Sequence, residues 1–151
     1  MIVRTATIQD YDEIKRLMVD FANNNPVEDL KNPKYDNMHV NRVLDFITKE
    51  GVALVCEENN VIVGMLLATI QGDLWLPQVK RMTEVAWWVE NAYRGSTAGA
   101  RLLKEYIRIG NLYKKQKLIQ TFTLTTLATT PELKLSNRGW EPIDFNWVFR
   151  G

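Results

Sequence analysis

The run Thr83-Glu84-Val85-Ala86-Trp87-Trp88-Val89-Glu90, continued by Asn91-Ala92-Tyr93-Arg94-Gly95-Ser96-Thr97-Ala98-Gly99-Ala100-Arg101-Leu102-Leu103, decides how this chain is read. Its first eight residues are aromatic and β-branched enough for a central strand. Residues 99–115 place Leu102, Leu103, Tyr106, Ile107 and Tyr113 on one side of an amphipathic helix. Gly95 and Gly99 lie where the strand becomes the helix. No acidic residue stands between Glu90 and Glu105, while Arg94, Arg101 and Lys104 are basic. The first turn of a helix carries unpaired N–H groups and about half a positive charge, and glycine lets a phosphate approach the backbone. The combination is an anion cradle, although the same glycines would also serve a tight turn packed closely with no ligand.

Known phosphate loops do not fit. The glycines are too close together for the Walker arrangement, and no Lys-Ser or Lys-Thr pair follows. The G-x-G-x-x-G dinucleotide fingerprint is absent, and this strand–turn–helix lies mid-chain rather than opening the fold.

Working outward, residues 2–7 read as a short strand, and Thr7-Ile8-Gln9-Asp10 has capping-box spacing. Tyr11, Ile14, Leu17, Met18 and Phe21 form the stripe of a helix that Asn23-Asn24-Asn25-Pro26 stops. Asp36 or Asn37 caps a second helix with the stripe Val40, Val43, Leu44 and Ile47, ended by Gly51. Both helices are expected on one sheet face. Residues 52–57 and 61–70 flank Glu57-Glu58-Asn59-Asn60 as an antiparallel hairpin, with Gly64 marking a bulge or a close backbone approach. After the helix at 99–115, a strand is expected over 118–124, a short helix from Pro131 to about Asn137, and a last strand or bent hairpin from Trp140 to Phe149. The order is β-α-α-β-β-β-α-β-α-β, an α/β or α+β sandwich. Its front is antiparallel, and a parallel crossover spans 83–124.

Size and composition set the class. The 151 residues fit one domain, 1–151, that buries about 68–70% of its unfolded surface. Nineteen basic residues against eighteen acidic ones leave +1, so nothing global steers the chain toward nucleic acid or an anionic membrane. Arg94, Arg101 and Lys104 could form a nucleic-acid patch, but the near-neutral balance argues against it. The single cysteine, Cys56, lies in the apolar run Val52-Ala53-Leu54-Val55-Cys56 and reads as a buried structural residue. Met1–Thr7 is too short for a signal core, and no apolar stretch approaches the roughly 20 residues of a membrane span. A cytoplasmic protein is expected. His39 has no ligand set around it, so no metal is expected.

The segment Val89 to Leu103 resembles the pyrophosphate-binding signature of the GNAT acetyltransferases, Val-x-Pro-x-Tyr-Arg-Gly-x-Gly-x-Gly/Ala followed by paired leucines. The order of flanking elements is similar to that family's over nearly the whole chain, and Asn137-Arg138-Gly139-Trp140 resembles the start of its last strand. The resemblance implies a GNAT-like mixed, mostly antiparallel sheet with helices on both faces. It implies direct transfer of an acetyl group from acetyl-CoA to a primary amine of a small molecule or peptide, without a metal. By the same resemblance Arg94, Gly95, Ser96, Thr97, Ala98, Gly99 and Ala100 hold the diphosphate. Trp87, Trp88 and Val89 line the pantetheine channel with Thr125 and Thr126 beside it, and Glu84 is the base. The bland readings stand beside these: one of the two tryptophans is core packing, and Glu84 pairs with Arg81 or Lys80 at a solvated strand end.

Three departures matter. Thr97 replaces the middle glycine, Asn91 a common proline, and Leu135 the tyrosine that many members use as general acid. The run ends soon after Phe149, leaving little room for a full seventh strand, so a homodimer partner completing that edge is expected. The alternative to an enzyme is a catalytically silent module of the same fold that binds acyl-CoA or a protein partner.

Overall fold

The computed structural model describes residues 1–126 and 135–144. Its sheet has five strands in chain order: β1 (Ile2–Thr5), β2 (Val52–Glu58), β3 (Val61–Gly72), β4 (Lys80–Val89) and β5 (Thr121–Thr123). The first four pair antiparallel, and β5 joins β4 in parallel. Antiparallel neighbours need only hairpins, whereas a parallel pair needs a crossover, here the helix α3 (Ala98–Lys115).

Helices α1 (Tyr11–Asn23) and α2 (Asn37–Glu50) cover one face. Ile14, Leu17, Leu44 and Ile47 pack there on Ala53, Val55, Met65 and Leu67. The other face carries α3, where Leu102, Leu103 and Tyr106 meet Leu54, Val63, Leu66 and Met82. The expected two-sided sandwich, mostly antiparallel, is therefore the fold. Cys56 is fully buried in the α3 layer.

Local signals act as read, with exceptions. Asp36 accepts from the N–H groups of Met38 and His39 and caps α2. At the start of α1, the Asp10 carboxylate takes the Thr7 N–H at 2.7 Å, and both its oxygens bind Arg4. That guanidinium, reaching also to Glu57, holds the Asp10 carboxyl down at about 2 and ties β1 and β2 to the helix. Gly64 sits at the register shift in the β2–β3 hairpin, and a side chain there would meet the Trp88 carbonyl and Leu102. Val43 departs from the expected stripe: it is exposed, because α2 rests on the sheet through Val40, Leu44 and Ile47 alone.

The C-terminal part departs more. The strand expected over 118–124 forms only at Thr121–Thr123, where β4 offers a partner, and Lys117 turns through φ +57° just before it. Residues 127–134, with most of the expected short helix, lie outside the described residues, as do residues 145–149, half of the expected last strand. Leu135–Arg138 is a single 3-10 turn, and residues 140–144 have no regular structure.

Gly110 on α3 faces the ring of Phe122 on β5, where an added Cβ would come within 2.7 Å. Phe122 stands edge-on between Tyr106 and Trp140. Gly110→Ala must push this ring aside, and overpacking of that kind costs about 1–3 kcal/mol. A lowered thermal midpoint is expected, together with weaker near-ultraviolet aromatic dichroism.

Candidate functional site

The strands β4 and β5 pair only from Arg81↔Thr121 to Thr83↔Thr123. Beyond that rung they part, leaving a fork at the sheet's carboxyl end. A bulge opens on β4 at the same level: Ala68 of β3 pairs with Glu84 and Leu67 with Ala86, so Val85 has no partner. The extra residue inverts the alternation of side chains. Met82 belongs to the α3 layer, as does Glu84 two residues on, whereas Ala86 and Trp88 point into the α1/α2 layer.

Glu84 is 6% exposed and has no ion-pair partner among the described residues. The pairing with Arg81 or Lys80 weighed from the sequence is thereby overturned. Both of those residues are exposed on the strand before the bulge, while Glu84 lies under α3. Among the described residues its single hydrogen-bond donor is the Thr125 N–H, 3.1 Å from Oε2. Burial pushes the carboxyl up to about 7, against the opposing pull of that amide. A carboxyl poised there can accept a proton at neutral pH and give it up again.

The turn after β4 is built from its own main chain. Tyr93, Arg94 and Ser96 donate back to Glu90, Asn91 and Tyr93, and the Ala98 N–H donates to Ser96 Oγ. Gly95 holds φ +88°, a left-handed conformation that admits glycine without strain. The N–H groups of Gly95, Thr97, Gly99 and Ala100 then have no acceptor among the described residues. Four amides free among the described residues, at the start of an 18-residue helix and with no acidic residue between Glu90 and Glu105 in the chain, could receive an anion.

The other expected residues lie in different settings. Trp87 and Val89 lean on the α3 side, each about 3.7 Å from the Cβ position of Gly99, so they line the floor beneath the turn. Trp88 is a core residue of the α1/α2 layer, edge-on to Phe21. Arg94 lays its guanidinium over the Trp88 ring at 4.0 Å and donates from Nε to the Val89 carbonyl, leaning back on β4. Thr97 Oγ1 accepts from Arg101 at 3.0 Å. Thr125 and Thr126 are exposed, and Thr125 meets Glu84 through its main chain rather than its hydroxyl.

Glu90 is occupied elsewhere, bound to Arg16 of α1 at 3.1 Å. Leu135 packs with Trp140 against the α3 layer. No group of three or more His, Cys, Asp or Glu side chains able to hold a metal ion occurs among the described residues. Two features escaped the sequence reading. Tyr106 looked like one more member of an apolar stripe, yet its buried hydroxyl reaches the fork, donating to Thr123 O at 2.8 Å. The Thr125 amide had no signal at all, because backbone groups leave none in side-chain chemistry.

The sequence model described as Acetyltransferase (GNAT) family matches residues 12–130. No curated protein sequence matches the chain. Several solved structures are similar over essentially whole chains. A ribosomal-protein-alanine N-acetyltransferase from Brucella melitensis biovar Abortus 2308 superposes with TM-score 0.73 at 14% identity, covering 99% of this chain and 97% of that one. A transcriptional regulator from Bacillus halodurans C-125 gives 0.70 at 22% identity, with 99% of each chain covered. An aminoglycoside acetyltransferase from an uncultured soil metagenomic sample gives 0.65 at 16% identity, over 98% of this chain and 97% of that one. At these identities the likeness is one of fold.

Proposed function

Given that the chain belongs to the acetyltransferase (GNAT) family, we propose that it moves the acetyl group of acetyl-CoA directly onto a primary amine. The observation that carries this reading is a buried carboxyl near neutrality, Glu84, on the strand that leads into the turn with the four free amides. Acid–base chemistry and anion binding thus sit on one continuous strand–turn–helix. Acetyl-CoA contributes an activated thioester and a diphosphate. The amides of Gly95, Thr97, Gly99 and Ala100 suit the diphosphate, with the Ser96 hydroxyl and the Arg94 guanidinium at hand. Trp87 and Val89 form the floor toward the fork, and Thr125 and Thr126 its opposite lip.

The chemical difficulty is protonation. An amine of pKa near 10.4 is neutral in only about one molecule per few thousand at pH 7. Glu84, as carboxylate, takes a proton from the incoming ammonium, directly or through a water. The freed amine adds to the thioester carbon, the adduct gives its extra N–H proton to the departing sulfur or to water, and the C–S bond breaks to leave the amide and coenzyme A. The departing thiolate, with a pKa around 8.5, leaves without an obligatory acid, so Leu135 in place of a tyrosine is compatible with turnover.

The acceptor class follows from the chemistry of transfer and fits the neighbours, which include proteins named for acetylating ribosomal-protein alanine and aminoglycosides. It is a primary amine on a peptide or a small molecule. We place the protein in the cytoplasm as a homodimer, with neither nucleic acid nor membrane as partner. No helix among the described residues is long and apolar enough to cross a membrane.

A second reading rests on Leu135 and Thr97 and on the neighbour named as a regulator: a silent module that binds acyl-CoA or a protein. A thiol-release assay across a panel of peptide and small-molecule amines separates the two. Turnover with at least one amine, lost in Glu84→Gln, is expected. Tight coenzyme binding with no thiol release from any amine, unchanged by Glu84→Gln, selects the module.

A further inference from the structure

A phenol with no exposure to water needs polar partners for its hydroxyl, since phenylalanine would fill the same space without the desolvation cost. Tyr106 is such a phenol. Its ring is held in α3 between Leu102, Leu103 and Met82 and stands edge-on to Phe122 at 5.8 Å. Its hydroxyl donates to the Thr123 carbonyl at 2.8 Å and lies 3.4 Å from the Met82 carbonyl. Met82 pairs with Phe122 and Thr83 with Thr123, so one side chain touches both strands at their final rung. Two residues further along β5's continuation, the Thr125 N–H meets the Glu84 carboxylate.

We propose that the Tyr106 hydroxyl fixes where β4 and β5 part, and thereby holds the Thr125 amide on the Glu84 carboxylate. Tyr106 is on this account a positioning residue, acting through Glu84. The inference rests on the proposed role of that carboxylate in transfer, and extends it to what sets its proton affinity.

The arrangement has one adjustable element. Main-chain pairing anchors Thr121–Thr123, but from Leu124 onward the chain leaves the sheet, and the Glu84–Thr125 bond is the next tie between the two strands' continuations among the described residues. An amide bonded to a carboxylate favours its charged form, and its loss leaves burial unopposed. The groups facing Glu84 are Tyr106 from α3, the Thr125 amide beyond β5 and, from β3, the apolar Ala68 opposite it; no cation acts on it among the described residues. The Glu84 charge and burial both push the phenol above its ordinary range, so it remains a donor at working pH.

The test is Tyr106→Phe, which keeps the ring packing and removes the hydroxyl. In ligand-free protein, a carbon-13 titration of the Glu84 carboxyl, assigned by its disappearance in Glu84→Gln, is expected to move upward by about half a unit or more relative to the parent. In turnover the acid limb of kcat/KM should move with it, and kcat should fall about tenfold with KM for acetyl-CoA within about threefold. An unchanged Glu84 titration in a folded Tyr106→Phe protein overturns the proposal, even if its thermal midpoint drops. The titration needs no turnover. Failure of the parent to release thiol would therefore count against the transferase reading alone, while an unmoved carboxyl in an active enzyme would count against the Tyr106 role alone.

Discussion

Replacing Glu84 by Gln is expected to do two opposite things: to cut kcat/KM by about 10²–10⁴, the usual contribution of a positioned base, and to stabilise the fold above neutral pH. The second effect follows from proton linkage. The folded carboxyl titrates at about 7 and the unfolded one at its ordinary 4.5. Between those values the native state holds the proton that the unfolded state has released, so stability falls as pH rises through the window. The ionised, buried carboxylate therefore costs up to about 3 kcal/mol above pH 7 and nothing below about pH 4. Gln has no charge to bury, and its carbonyl still accepts the Thr125 N–H. Thermal melts of parent and variant should coincide at pH 4 and separate by several degrees at pH 8, with the inactive protein the more stable. Coincident melts at both pH values would mean that Glu84 is not buried in the way argued here. A rate that stays within a few fold would remove it from the reaction. The parent's own kcat/KM should rise with pH through a midpoint near 7, because only the carboxylate can take the proton.

The second large effect concerns the turn. Ala100 is exposed, lies in the first turn of α3 and has an unpaired N–H. Ala100→Glu puts a carboxylate beside the free amides of Gly95, Thr97 and Gly99. For the folded protein alone this is favourable by about 0.3–1 kcal/mol, because an acid suits a helix N-terminus. For a diphosphate it is adverse, since like charges in one site cost several kcal/mol. Calorimetric titration with coenzyme A should show affinity reduced by at least about a hundredfold while the thermal midpoint holds or rises. Ala100→Gln, of similar shape, should lose far less. If Ala100→Glu binds coenzyme A within threefold of the parent, the diphosphate does not lie on these amides.

Much of this was open to inspection residue by residue. The aromatic strand, the glycine turn and the leucine-rich helix after it stand in one continuous run, and each announces itself through composition or spacing. The stripe of α1 and the hairpin at 52–72 were equally plain, because amphipathic period and turn residues act locally. The family signature around Tyr93-Arg94-Gly95 picked out the same turn whose amides prove to be free. Strict alternation would put Glu84 and Trp88 on one face, and one inserted residue undoes it. Val85 bulges, so Glu84 and Trp88 end on opposite faces although both stand at even positions of the same strand. Strand β5 was overextended because a strand exists only as far as its neighbour pairs with it.

What the order of amino acids determined by itself was the set of parts: which segments coil, which extend, where an anion could rest, and which carboxylate stood on the strand before that place. Tertiary structure alone decided what Glu84 is. With Lys80 and Arg81 close by in the chain it read equally well as half of a surface ion pair. The bulge at Val85 and the cover of α3 took it out of water, and an amide 41 positions away gives it its one hydrogen bond among the described residues. Proton affinity depends on which groups surround a carboxyl in space, and those groups are gathered by packing between distant segments.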